Sequence, residues 1–163
     1  MLSLHESVAI FNQEMGHEDA GYRARHQAIQ LFWRVYAEGK RRQWWKSIVR
    51  RENNLRELGK ALQGKQVKAQ YAAGLRRVAI AGIRGSEGRG QDFDAAFRPN
   101  SNRTQERWVS IATARRLEGG LPPVELIQVG DDYYVRDGHH RISVAKAFGQ
   151  KEIEAEVTVW EIE

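Results

Sequence analysis

The stretch from Tyr133 to Gly149, YYVRDGHHRISVAKAFG, most constrains what this chain can fold into. It predicts a short strand, a turn at Gly138, and a helix that begins with His139, His140 and Arg141. The first turn of a helix has unpaired N–H groups and the positive end of the helix dipole, so carboxylates are preferred there and anions bind there. Cationic or ionisable side chains at this place are unfavourable unless an anion binds among them. The stretch therefore predicts a phosphate-binding corner.

The sequence around this corner predicts an α+β domain of about four strands and two or three helices. We predict strands where apolar residues alternate with polar ones or form short runs, and helices where apolar residues recur three or four positions apart. Glycines mark the ends of both kinds of element. The segment from Asp92 to Asn100 is ambiguous. The predicted elements are a strand over Arg77–Ile83, a glycine-rich loop over Arg84–Gln91, a helix over Thr104–Glu118, a hairpin of Val124–Val129 and Tyr133–Arg136, a helix over His139–Phe148, and a half-exposed strand over Ile153–Val159.

The N-terminal half has a different pattern and a different charge. A helix is predicted over residues 18–37 and ends at Gly39; a second runs from Lys40 to Arg51, and leucines at helical spacing follow until Gly64. Residues 1–75 have 13 Lys and Arg against 7 Asp and Glu, whereas residues 76–163 have 13 against 14. We therefore divide the chain into a helical region, 1–74, and an α+β domain, 75–163.

Composition excludes several classes of protein. The chain of 163 residues has no cysteine, which excludes disulfides and thiolate chemistry. No apolar run reaches the roughly 18 residues that span a membrane, and the N-terminus lacks the pattern of a signal peptide. The expected location is the cytoplasm.

The order of elements in the second half resembles the ParB/sulfiredoxin superfamily, and in particular the N-terminal domain of ParB proteins. The resemblance covers about residues 78–160. It is carried by Gly120-Leu121-Pro122-Pro123, by the hairpin, and above all by Gly138-His139-His140-Arg141. ParB proteins have Gly-Glu-Arg-Arg at that place, and sulfiredoxins have Gly-Cys-His-Arg.

The resemblance implies a small mixed-sheet domain that binds a nucleoside triphosphate, CTP or ATP, with Mg²⁺. Gly138, His139, His140 and Arg141 would hold the phosphates, since glycine permits a close approach and arginine donates a planar fork. The loop after the first strand would cover the same phosphates with Gly85, Ser86, Gly88 and Arg89. Asp137, or alternatively Glu87, would supply the carboxylate for Mg²⁺, which needs few protein ligands beside phosphates.

Two departures limit what the resemblance implies. The position of the sulfiredoxin cysteine is His139, so sulfinic acid reduction is excluded. The helix-turn-helix with which ParB proteins read DNA is not found in these 163 residues.

Each candidate residue also has an ordinary structural interpretation. Arg141 either binds phosphate or forms an internal salt bridge, with Asp137 as a partner. His139 and His140 either contact phosphate, with His140 also transferring protons, or are structural or exposed histidines. Glu87 is either a catalytic base or a solvated acid of a turn.

The segment Lys40–Arg51 combines cations with two tryptophans and contains no acid. It fits three interpretations: a packed helix with a solvated cationic side, a nucleic-acid surface, or a helix that lies on a membrane or against a protein partner. For nucleic acid, the contacting residues would be Lys40, Arg41, Arg42, Trp44, Trp45, Lys46, Arg50 and Arg51.

The sequence thus predicts a ParB-like nucleotide-binding protein, with slow hydrolysis by Glu87 and His140, that acts on DNA through its basic helices and forms a homodimer. Two alternatives stay open. One is an enzyme of the same fold, a nuclease or a small-molecule kinase; the other is a partner-binding protein whose anion site is vestigial.

Overall fold

The structure is a computed structural model that describes residues 4–48, 54–88 and 90–163. Side chains are described from residue 19 to residue 45 and throughout the other two ranges. A long helix, α1 (Leu4–Ile48), precedes the other elements. These are, in chain order, β1 (Arg56–Glu57), α2 (Leu58–Ala61), β2 (Val67–Ala79), a 3₁₀ turn (Ile80–Gly82), β3 (Ile83–Ser86), a 3₁₀ turn (Asn102–Thr104), α3 (Gln105–Glu118), β4 (Val124–Val129), β5 (Asp132–Asp137), α4 (His139–Ala147) and β6 (Glu152–Ile162).

All six strands form one mixed sheet in the order β1-β3-β5-β4-β6-β2. β1, β3 and β5 are parallel to each other, β5 and β4 form the antiparallel hairpin, β4 and β6 are parallel, and β2 runs antiparallel to β6. The α+β class with an N-terminal helix is confirmed. The sheet crosses the predicted boundary between the helical region (1–74) and the α+β domain (75–163). Both β1 and the first part of β2 lie before residue 75.

The core has a part on each side of the sheet and a part between the helices. The largest cluster includes Leu126, Val135 and Ile142, which join β4, β5 and α4. A second cluster joins α1, α3 and α4 through Phe32, Trp108 and Val144. Trp108 is fully buried, and its Nε1–H donates a hydrogen bond of 2.9 Å to Ser143 Oγ. The helix α1 is therefore packed on the two helices that position the candidate site.

The predicted break at Gly39 is wrong, because α1 continues through it without interruption. A Cβ atom at Gly39 would lie 3.3 Å from Arg98 Cβ, tighter than most real contacts of this kind. The glycine therefore allows the 92–100 loop to lie close against α1. The predicted helix starting at Lys40 is the last part of α1, and Arg50 and Arg51 lie outside the described residues.

Three other expectations need correction. The leucines before Gly64 form only one helical turn, α2, preceded by the short strand β1. The predicted strand over Arg77–Ile83 is interrupted by the 3₁₀ turn, and its first part belongs to β2, which begins ten residues earlier at Val67. β3 continues to Ser86, so Gly85 and Ser86 are strand residues rather than loop residues.

The remaining elements are confirmed. α3, the hairpin, α4 and β6 lie within a few residues of their predicted bounds. Gly119 and Gly149 follow their helices in the left-handed conformation, with φ of 76° each, as glycines at helix ends do. Residues 92–100 contain no helix and no strand, only turns and isolated bridges.

Candidate functional site

The start of α4 is set by one glycine. Gly138 has a φ of 103°, a conformation that favours glycine, and it turns the chain from β5 into the helix. A Cβ atom there would lie 2.5 Å from Val124 Cγ1 on β4. The first turn of α4 contains no acidic residue. The predicted strand, glycine turn and helix start are therefore present, and the backbone at Gly138 is packed tightly against the hairpin.

Arg141 has several partners inside the protein. Its guanidinium donates to the carboxylate of Asp137 and to the carbonyl oxygens of Pro123 and, at 3.4 Å, Pro122. The internal salt bridge that the sequence offered as the alternative is thus present. The side chain is nevertheless 19% exposed, so it is partly accessible to solvent.

Asp137, the predicted metal ligand, is engaged by Arg141 and is 57% exposed. Within the described ranges, no three side chains of His, Asp or Glu lie close enough together to hold a metal ion. One exposed carboxylate fits only a magnesium ion that takes its other ligands from phosphate and water.

The structure brings together two residues that the sequence placed in separate candidate sets. Ser86 Oγ lies 2.7 Å from His139 Nε2, and both residues are buried. The Ser86 hydroxyl also lies within hydrogen-bonding distance of the carbonyl oxygens of Val135 and Gly88. This pair holds the end of β3 against the start of α4, and His139 also lines the small cavity at the helix start.

Gly85 has a packing reason for being glycine. A Cβ atom there would lie 2.2 Å from the carbonyl oxygen of Arg56 on β1 and 2.7 Å from the Tyr134 ring. Gly88 lies in the bend after β3, and its N–H donates to Ser86 Oγ at 3.1 Å. Arg89 lies outside the described residues. Within the predicted second phosphate-binding set, Gly85 and Ser86 are therefore packed strand residues, and the role of the set in binding phosphate stays a prediction.

Glu87 forms an ion pair with Arg136 at 3.0 Å, and its carboxylate is partly exposed. The guanidinium of Arg136 also lies 5.9 Å from the centroid of the Trp160 ring. The carboxylate has a partner that orients it on the surface, as the turn-acid interpretation expected. Its role as a base stays a prediction.

No pattern in the sequence indicates that Phe93 belongs to the site. Its ring stacks on His139 at 6.1 Å and meets His140 edge to face at 5.0 Å. Phe93 is fully buried and comes from the 92–100 loop. The two histidines of α4 are therefore held by an aromatic side chain from a segment whose structure the sequence left ambiguous.

A groove adjoins the start of α4. A cavity of about 20 Å³, large enough for a water molecule only, lies at the helix start. Arg107, Ile111 and Arg141 line both this cavity and an open groove of about 760 Å³. The groove runs between α3 and the segment before β4, and its lining also includes Arg103, Glu106, Ser110, Ala114, Glu118, Leu121 and Pro122.

Two arginines of α3 and the turn before it extend the cationic character of the corner. Arg103, Arg107 and Ile111 are spaced by four residues, which places them on one side of the helix. Arg107 is exposed and forms no ion pair with any residue that the structure describes. Glu106 is engaged by Arg25 at 2.8 Å. The sequence shows the four-residue spacing, but it does not show that this side of α3 lies next to the start of α4.

The basic end of α1 is a separate surface. Trp44 and Trp45 are 60% and 59% exposed, so the interpretation that both face the core is wrong. Lys40 donates a hydrogen bond of 2.8 Å to the Asn100 carbonyl, and Arg42 pairs with Glu38 at 3.3 Å. Lys46 lies in α1, but its side chain is outside the described residues. No helix in the described ranges is both long and apolar enough to cross a membrane.

Comparison with solved structures shows a distant similarity to a known protein. No family model and no curated protein matches the chain. Among solved structures, the chain is similar to sulfiredoxin from Arabidopsis thaliana, with a TM-score of 0.39 and 22% sequence identity. The similarity covers 51% of this chain and 82% of the sulfiredoxin chain. It assigns neither a family nor an activity.

Proposed function

We propose that the start of α4 and the adjoining groove bind the phosphates and nucleoside of a nucleoside triphosphate, CTP or ATP, together with Mg²⁺. The observation that carries the proposal is Arg107, which lies between the helix start and the groove without an ion-pair partner among the described residues. An anion in this place gains two arginines and the positive end of the α4 dipole. The groove volume lies within the range of small-molecule sites.

Phosphate contacts would come from the two arginines and from the start of α4. Arg107 and Arg141 would donate to phosphate oxygens, together with the unpaired backbone N–H groups in the first turn of α4. Asp137 would be the protein ligand of Mg²⁺ once phosphate takes over part of its pairing with Arg141. Ile111 and Leu121 would lie against the base. His139 would contribute through its bond to Ser86 rather than by direct contact.

Slow hydrolysis by Glu87 and His140 is the finer part of the proposal. Fixed cations stabilise the charge that develops on phosphoryl oxygens. Glu87 can act as a base only if its ion pair with Arg136 opens, so Arg136 is the residue that would control it.

The first test measures the melting temperature with CTP, ATP, GTP, ADP and inorganic phosphate, each with and without Mg²⁺. A ligand at about 100 times its dissociation constant adds about 2.7 kcal/mol to the free energy of unfolding, which raises the melting temperature. We expect a rise with one triphosphate. Replacing Arg107 with Gln should remove most of that rise without changing the melting temperature of the free protein, because the side chain is exposed and has no described ion pair.

Arg76→Gln, on the exposed part of β2, is the matched control, because it removes the same charge far along the chain from the groove. A melting temperature that no nucleotide changes would contradict the proposal and favour a partner-binding protein with a vestigial anion site. An equal loss in the Arg76 and Arg107 variants would assign the effect to net charge.

A further inference from the structure

The last described turn of α1 carries two tryptophans that the nucleotide site does not use. Trp44 and Trp45 each expose about three fifths of their surface. Their rings meet edge to face, with centroids 5.2 Å apart and an angle of 75° between the planes. Large exposed aromatic surfaces of this kind are costly in water and mark sites of contact.

The surroundings of the two rings are cationic. Lys40, Arg41, Arg42 and Gln43 precede them and are all exposed, and the sequence contains no acid between residues 39 and 51. The nearest carboxylate in sequence, Glu38, is shared by Arg42 and Arg98. Arg41 forms no ion pair with a described residue. This turn therefore combines stacking surfaces with positive charge.

The turn is also fixed to the rest of the protein just before the tryptophans. Arg98 pairs with Glu38 at 3.1 Å, Lys40 donates to Asn100, and Gly39 lies against Arg98. Side chains on an anchored helix lose less conformational freedom on binding than those on a mobile segment.

We propose that Lys40–Trp45, the basic tryptophan surface, binds single-stranded nucleic acid. Bases would stack on Trp44 and Trp45, and phosphates would contact Arg41 and Arg42. A membrane-bound helix needs a continuous apolar face, whereas residues 40–43 are all polar. An acidic protein would satisfy the cations but would not use the ring faces.

The test is fluorescence anisotropy of a labelled oligothymidylate of about 20 nucleotides, which exceeds a single-strand site, against the same strand in a duplex. We expect tighter binding of the single strand, with quenching of tryptophan fluorescence. Trp44→Ala should weaken binding roughly 5- to 150-fold, the range for one stacked base. Arg41→Gln should reduce the slope of log affinity against log salt by about 0.7.

Tyr22→Ala is the matched control, because Tyr22 is an aromatic residue of the same helix that is 75% exposed but lies outside the basic segment. It should leave binding unchanged, and so should Arg107→Gln, which keeps this surface distinct from the groove. Should Trp44→Ala fail to fold, the salt slope of Arg41→Gln decides the question.

Three results would overturn the proposal: no oligonucleotide binding, equal affinity for the duplex, or affinity that is unchanged by Trp44→Ala and Arg41→Gln. Binding to vesicles of phosphatidylcholine and phosphatidylserine in place of the oligonucleotide would assign the surface to a membrane. Loss of oligonucleotide binding in Arg107→Gln would assign the strand to the groove.

Discussion

At the scale of residues, Gly138 is the position where conformation and packing both require glycine. Its φ of 103° disfavours any side chain, and a Cβ atom would overlap Val124, which is fully buried. Gly130 has a φ of 59° in the hairpin turn, but nothing lies within 4 Å of its Cβ position. A side chain at Gly138 therefore meets both an unfavourable conformation and a steric overlap, whereas a side chain at Gly130 meets only the unfavourable conformation.

We predict that Gly138→Ala lowers the free energy of unfolding by about 3 kcal/mol or more, since a steric cost adds to the roughly 1–2 kcal/mol of a left-handed conformation. Gly130→Ala should cost only that conformational part. Denaturant unfolding of both variants measures the difference. Equal losses of stability in Gly138→Ala and Gly130→Ala would contradict the prediction, because they would mean that β4 moves away from the Gly138 turn at no cost in free energy.

Tyr134 is the residue whose titration should change stability in alkali. Burial and the charge of Asp132 raise the pKa of the Tyr134 phenol above 10.0, and Arg56 opposes this in part. Above pH 10 the folded protein then holds a proton that the unfolded chain releases, so stability falls as pH rises through the folded pKa.

We predict that Tyr134→Phe reduces the loss of stability between pH 9.5 and 11, because phenylalanine has no proton to lose. The measurement is denaturant unfolding across that interval, with Tyr71→Phe at an exposed tyrosine of β2 as the matched substitution. A steeper loss of stability in Tyr134→Phe than in the parent would contradict the assignment.

At the scale of elements, the 92–100 loop links α1 to the start of α4. Asp94 is 2% exposed and accepts hydrogen bonds from the backbone N–H groups of Ala96 and Arg98 and from Arg98 Nε. Arg98 reaches on to Glu38 of α1, and Phe93 packs on the histidines of α4. The loop has no regular structure, but its polar groups are largely satisfied.

We predict that Asp94→Ala costs about 3 kcal/mol of stability, because it leaves Arg98 without its buried carboxylate and two N–H groups without an acceptor. Glu106→Gln, in the exposed pair with Arg25, should change stability by less than about 1 kcal/mol. Thermal unfolding of both variants provides the comparison. A loss of less than about 1 kcal/mol of stability in Asp94→Ala would show that these hydrogen bonds of the 92–100 loop do not stabilise the fold.

The same loop explains what the sequence could not reveal about the site. The start of α4 was predictable because a hairpin, a glycine and a helix follow each other within one stretch, and local patterns determine each of them. Phe93 and Arg107 join that stretch only through tertiary packing of distant segments, which no local periodicity records. Sequence patterns therefore predicted the corner but missed its neighbours.

At the scale of the whole molecule, the sequence patterns missed most of β2, which was predicted only over its last residues, 77–79. Its first ten residues include Ala69, Gln70 and Gly74, which have weak preference for strands, and nearly all of them are exposed, so no buried alternation marks the strand. Hydrogen bonds to β6 hold it in place. The strand with clear alternation, β6, was predicted because one of its sides is buried.

The position of β6 between β4 and β2 has a consequence for synthesis on the ribosome. Partners in the β2–β6 ladder are separated by 73 residues at Ala79 and Glu152, and by 95 at Val67 and Ile162. β2 therefore leaves the exit tunnel long before its partner is translated. Until then, the backbone groups with which β2 pairs to β6 are open to other nascent chains, so β2 is exposed to misassembly during synthesis.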